Sequence, residues 1–239
     1  MRPREAGRST LAGAPTGRLP GGVQRTPRVP APLVAATTAL TTAVAVLAAR
    51  AAHLRFGATD AEVAARLAGD DLLPDAAVVA TRAITIRASA AAVWPWLCQL
   101  GQGRGGFYTY DALENLVGAD IHSADEIHPE WQDVVVGDEV RLAEQVPLTV
   151  AVVEPERALV LLGAAPPGAA SPVPYDFSWA FTLHPADDGT TRLVVRERYV
   201  HRTGWAPLVV EPLAWVSFVM TQRMLRGIRD RAERSAPAA

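Results

Sequence analysis

Lysine is absent from the 239-residue chain, cysteine occurs once, and aromatic residues make up only 6%. With every lasting cation an arginine, a phosphate loop built on a lysine is excluded. The single cysteine, Cys98, allows neither an intrachain disulfide nor a cysteine zinc site. Followed by Gln99 and Leu100 in a helical stretch, it reads as a small buried apolar residue rather than a nucleophile. The arginines are unevenly placed: Met1 to Pro30 holds six against one glutamate, whereas from Pro74 onward 14 arginines face 20 acidic residues. An acidic domain without lysine lacks the electrostatic footprint that nucleic acid requires, so no nucleic-acid partner is expected.

Charge is also missing from one long run. Between Arg28 and Arg50 lie 21 uncharged residues, of which Leu33 to Ala49 as continuous helix would cover about 26 Å of a hydrocarbon core about 30 Å thick. Residues 31–50 are therefore expected to form a single transmembrane helix, although Thr37, Thr38, Thr41 and Thr42 weaken insertion. A cleaved signal sequence, or an alanine-rich helix packed on the domain, fits the same run. The arginines ahead of it favour a cytoplasmic N-terminus and an external domain. Residues 1–30 have the Arg, Gly, Pro and Ser composition of a disordered tail, residues 51–73 read as a juxtamembrane linker or short helix, and 235–239 as a second tail.

The remaining segment, 74–234, can bury one core. Val78 to Ile86 alternates as a strand, with Arg82, Ile84 and Ile86 opposite Thr81, Ala83 and Thr85. Ser89 caps a helix over Ala90 to Leu100 that Pro95 should kink. Tyr110 to Val117 reads as a second helix. Strands are then expected over Val134–Leu142, Leu148–Glu154, Ala158–Gly163, Phe177–His184 and Thr191–Val200, separated by turn residues. Leu213, Val216, Met220, Met224 and Ile228 recur at three and four, which predicts one long amphipathic helix over Pro207–Ala232.

This order is the helix-grip plan of an α+β fold, a curved antiparallel sheet around a long C-terminal helix. The run VWPWLCQLGQGRGGFYTYDALENL, Val93 to Leu116, resembles bacterial membrane-associated members of the START-like (SRPBCC) superfamily, which includes polyketide cyclase/dehydratase-like proteins. Asp120 to His122, Pro129 to Gln132, Gly137-Asp138, Ser178 to Phe181, Arg192 to Arg198 and Leu54 to Asp60 resemble the same group. The resemblance implies a cavity between sheet and C-terminal helix for a hydrophobic lipid, isoprenoid or polyketide-like molecule, with no cofactor. A cyclase- or dehydratase-like enzyme and a membrane-bound interaction scaffold around Trp131 are the alternatives; fold alone does not choose among them.

Several residue groups are candidates for a site. Gly101 to Gly106 spells a dinucleotide fingerprint, but it follows a helix instead of opening one, so it reads as a sharp turn, with Arg104 able to gate a cavity mouth. Phe107, Tyr108 and Tyr110 could line an apolar pocket. Asp111, Glu114 and Asn115 share a helix face, where Glu114 could serve as an acid or base, or hold Arg104. Glu197 lies on one face of its strand with Val195 and Tyr199, opposite Arg196 and Arg198; it is either an inward carboxylate suited to proton transfer or half of an edge ion pair. Glu114, Glu197 and Tyr108 are thus the catalytic candidates, and Arg104, Phe107, Tyr108, Tyr110, Glu114 and Trp131 the ligand-binding ones. His122, Asp125, His128 and Glu130 are metal-binding types without diagnostic spacing, and no metal is expected.

Overall fold

The computed structural model describes residues 31–111, 115, 120–166 and 168–235. Helix α1 runs from Ala31 to Leu54 and α2 from Asp60 to Ala64. Strand β1 (Val78–Ile86) leads into α3 (Ala90–Cys98), and after a 3-10 turn at Pro129–Trp131 come five strands. These are β2 (Glu139–Ala143), β3 (Val146–Glu154), β4 (Ala158–Gly163), β5 (Tyr175–Pro185) and β6 (Thr191–His201). The chain closes with α4, Pro207–Ser235. Residues 1–43 and 44–239 separate as two units, and the sheet with its flanking helices belongs to the second.

All six strands pair antiparallel in the order β1-β6-β5-β4-β3-β2, so five consecutive strands meander and β1 joins at the far edge. Register shifts at Arg141/Ala143 and Val150/Val152 mark bulges, which bend a sheet locally. The concave face buries Ile86, Val150, Leu161, Phe181 and Leu193 with Val93, Trp96 and Leu97 of α3 and Val210, Met224 and Ile228 of α4 in one core. Ser89 caps α3 as expected, its side chain accepting from the Ala92 amide, and Pro95 sits inside that helix. This is the expected helix-grip architecture.

Several strand and helix ends shift by one to five residues from expectation, and three of the expected segments call for comment. The β2 strand starts at Glu139 because Gly137, at φ 100°, and Asp138, whose carboxylate accepts from the Val135 amide, occupy residues 134–138 with a turn. The helix expected over Tyr110–Val117 falls mostly outside the described residues; Asp111 and Asn115 are helical. Residues 31–50 are helical, but the helix continues to Leu54, and among the described residues no helix is long and apolar enough to cross a membrane.

The segment expected to be a linker or short helix, which contains α2, packs on the convex face of the sheet. Arg196, 2% exposed, donates to the carbonyls of Glu62, Val63 and Ala65, to Asp70 at 2.6 Å and to Thr81 at 2.9 Å. Arg192 grips the Glu62 carboxylate and the Gly57 carbonyl, and Arg198 the carbonyls of Leu73 and Pro74. Beneath this strap Leu67 packs with Ala83 and Val194. Gly57, at φ +76°, lies so close to the Ala83 carbonyl that a β-carbon would collide with it.

Candidate functional site

A cavity of about 540 Å³ lies between the sheet and the first half of α4. Its walls come from the β2–β3 hairpin (Leu142, Val146, Leu148), the end of β4 and the following loop (Leu162, Val173), β5 (Tyr175, Phe177, Trp179), β6 (Glu197, Tyr199) and α4 (Leu213, Ser217). Alternation along β5 turns the three aromatic rings to the same side. Phe177 and Tyr199 stack at 4.9 Å between ring centroids, and Trp179 and Phe181 at 4.8 Å. A smaller space of about 150 Å³ shares Leu142, Trp179 and Ser217 with it and continues to Phe107, Met220 and Met224.

The lining is mostly apolar, with Gln145, Thr149 and Ser171 among its walls and one polar cluster between β6 and α4. There Glu197, 1% exposed, accepts from Arg82 at 2.8 Å, Ser217 at 2.6 Å and Thr221 at 3.0 Å on Oε1, and from the Tyr199 hydroxyl at 3.2 Å on Oε2. The partnership follows from register. Arg82 lies opposite Val195 on β6, so it faces the same side as Glu197, one pleat along. The rest of the Arg82 guanidinium is occupied by the carbonyls of His53 at 3.1 Å and Ala214 at 3.4 Å. A buried ion pair needs such additional bonds to offset desolvation. Burial, and then the Glu197 charge, push the Tyr199 hydroxyl well above its ordinary pKa, so it stays a proton donor. Glu197, Tyr199 and Ser217 reach the cavity and Thr221 lines the smaller space, whereas Arg82 lines neither.

Behind this corner lies a histidine without polar partners. His53 is 2% exposed, its ring lies against Trp215 with centroids 3.8 Å apart, and among the described residues neither ring nitrogen has a hydrogen-bond partner. Burial, with the Arg82 and Arg50 charges second, lowers its pKa from 6.5.

The candidate residues expected from the sequence are dispersed around this geometry. Glu197 lines the main cavity and Phe107 the smaller one. Tyr108, 1% exposed at φ 58°, donates its hydroxyl to the Trp96 carbonyl and receives the Arg231 guanidinium over its ring; burial raises its pKa. Arg104 binds the carbonyls of Cys98 and Trp131 at 2.8 and 2.7 Å and so ties the glycine turn to the 3-10 turn. It therefore braces the loop instead of opening onto the cavity, because the Gly101–Gly106 bridge folds the loop back on itself. Tyr110 is 39% exposed, Trp131 stacks on His128, and Glu114 lies outside the described residues. Asp111 accepts from the Ser123 amide and hydroxyl. Cys98 is buried, and burial lifts its thiol to about 11. His122 and His128 pair with Asp120 and Glu130, and among the described residues no cluster of three or more metal-ligating side chains occurs.

Sequence reading missed Arg82, Ser217 and Thr221. A signal existed in β1, where Arg82 falls on the face of Ile84 and Ile86 and has no charged neighbour there. The α4 hydroxyls at 217 and 221, one turn apart, carried none, since Ser and Thr are ordinary residues in a helix of this length.

No protein-family model and no curated protein matches the chain. Among solved structures it is similar to the Zhui aromatase/cyclase of Streptomyces sp. R1128, at 16% identity over 67% of this chain and 96% of that one, with a TM-score of 0.40. Norcoclaurine synthase from Thalictrum flavum, in complex with dopamine and hydroxybenzaldehyde, matches at 13% identity over 73% and 96%, TM-score 0.44. A protein from Mesorhizobium loti matches at 14% over 66% and 99%, TM-score 0.36. By its own architecture, an antiparallel sheet packed with a long C-terminal helix, the domain has the helix-grip arrangement.

Proposed function

We propose that the domain binds one molecule of a largely apolar compound carrying a single polar group, and that residues 31–50 tether it to a membrane. The observation that carries the first part is the mostly apolar cavity of about 540 Å³, into which Glu197, Tyr199 and Ser217 converge from β6 and α4. That volume lies within the range of about 300–1,000 Å³ typical of small-molecule sites, whose few polar groups orient the ligand.

The corner favours a hydroxyl over an acid. Glu197 Oε2 accepts one bond, from Tyr199, and has room for another donor. A ligand hydroxyl can donate to that oxygen. A ligand carboxylate would face a carboxylate at close range, while the Arg82 guanidinium is spent on Glu197 and two carbonyls. Isoprenoid or fatty alcohols and hydroxylated polyketides or sterol-like rings have the required chemistry. Because four donors, Arg82 among them, already converge on Glu197, we read the site as a receptor for the ligand.

The tether reading rests on the uncharged run between Arg28 and Arg50, whose apolar residues can insert into a bilayer. Native mass spectrometry of the full chain released from mild detergent, with extraction of bound lipid, tests the ligand: a single hydroxylated apolar species per chain is expected, and an empty protein that also ignores added long-chain alcohols refutes it. Alkaline carbonate washing tests the tether, which predicts retention in the membrane pellet; release into the supernatant overturns it.

A further inference from the structure

The first half of α4 has two apolar sides. Leu213 and Ser217 turn into the cavity, while Leu208, Trp215, Val216 and Val219 are 78%, 41%, 59% and 49% exposed. With exposed Pro212 they recur at i, i+4, i+7, i+8 and i+11, the spacing of a single stripe along a helix. Isolated exposed apolar residues are ordinary, but a continuous stripe marks an interaction surface.

We infer that this stripe rests on a lipid bilayer and turns the cavity mouth toward it. Charge decides the occupant. From Trp205 to Gln222 the only ionisable residue is Glu211, and Arg50 of α1 neutralises it with two bonds at 2.5 and 2.8 Å. Beyond Val219 the same face passes to Arg223 and to exposed Arg226, seven residues or about 10.5 Å further along. An apolar stripe that gives way to arginines matches hydrocarbon bordered by anionic headgroups. Trp205, 55% exposed, and Trp215 are the residue type that settles at that border.

The mouth lies at the same end of the domain. Tyr175 pairs with His201 where β5 begins and β6 ends, Arg202 holds the carbonyls of Ala165 and Ala169 in the mouth loop, and α4 starts five residues later. Val146 and Val173, which line the cavity, are 40% and 38% exposed. A ligand leaving the bilayer would enter at this end of the domain.

The test is a fluorophore placed by Val216→Cys in the full chain, with Asp187→Cys, in the exposed turn at the opposite end of β5 and β6, as its control. Cys98 stays unlabelled because it is buried and its thiol is raised to about 11. The labelled chains are bound to vesicles of phosphatidylcholine and phosphatidylglycerol, with and without nitroxide-labelled lipid. The stripe predicts that the 216 probe shifts to the blue and loses most of its emission to nitroxide lipid, while the 187 probe does neither. If the 216 probe stays as accessible to aqueous iodide as the 187 probe on vesicle-bound chain, the inference fails even though α1 anchors the protein. Quenching between differently labelled copies without lipid would assign the stripe to self-association and also overturn it. No cavity ligand is needed, so this outcome and that of the ligand reading are separable.

Discussion

On β6, Glu197 and Tyr199 face the cavity, while Arg192, Arg196 and Arg198 face the opposite way beneath the strap of residues 55–74. Both faces are rich in buried hydrogen bonds, but the bonds end differently. On the convex face the guanidinium donors finish on backbone carbonyls of a segment with little regular structure, whose polar groups would otherwise lack partners. On the concave face four donors converge on one carboxylate beside open space. The first arrangement closes a structure and the second leaves a polar end for something to meet. Period-two alternation along a single strand separates the two roles.

Removing one partner of the inner pair should have the largest effect. Arg82→Met leaves the Glu197 charge buried, at a cost of about 3–5 kcal/mol, and urea unfolding measures it. Adding Glu197→Gln should recover a substantial part, because the uncompensated charge disappears; no recovery would mean that Arg82 matters mainly through the His53 and Ala214 carbonyls. On the outer face Arg196→Met should cost about 2–4 kcal/mol, and hydrogen exchange should speed up at the amides of residues 62–70 while the cavity walls stay protected. Loss of protection in both regions would show that the two faces are not independent.

Acid should separate them further. Side-chain bonding to Arg192 holds the Glu62 carboxyl at about 2, down from 4.5, so the strap contact contributes fully above pH 4.5 and is lost as pH falls from there toward 2. His53 behaves in the same direction at higher pH. Its lowered folded pKa means that the unfolded chain binds the extra proton first, so its contribution is complete above pH 6.5 and declines as pH falls below that value. Arg50, Arg82, Glu197 and Glu211 are the charges that set its position. The smallest expected effect is therefore a shallower fall in melting temperature below pH 6.5 in His53→Phe; an unchanged profile would mean that His53 contributes nothing to the acid response.

The fold was legible because its signals are periodic. The strand at Val78–Ile86 and the recurrence of Leu213, Val216, Met220, Met224 and Ile228 on α4 need only local periodicity to be recognised, although Val216 lies on the exposed side of the helix. The strap was not, since Gly57 and Asp70 resemble linker residues until Arg192 and Arg196 are brought to them from more than 120 positions away. The site was half legible for the same reason. Glu197 stood out by strand parity, whereas its partners Arg82, Ser217 and Thr221 come from elements remote in sequence. The aromatic and glycine-rich run after α3 drew attention as a site, yet Tyr108 and Arg104 brace it through carbonyls, a role that composition does not distinguish from ligand contact.

The most direct test of the ligand reading is a paired titration of the full chain with a long-chain alcohol and the carboxylic acid of equal length, followed by native mass spectrometry. One alcohol per chain is expected, bound more tightly than the acid, with Leu213→Trp abolishing the complex by filling the cavity. Equal binding of acid and alcohol, or alcohol binding that survives Leu213→Trp, would contradict the assignment of this cavity and its Glu197 corner.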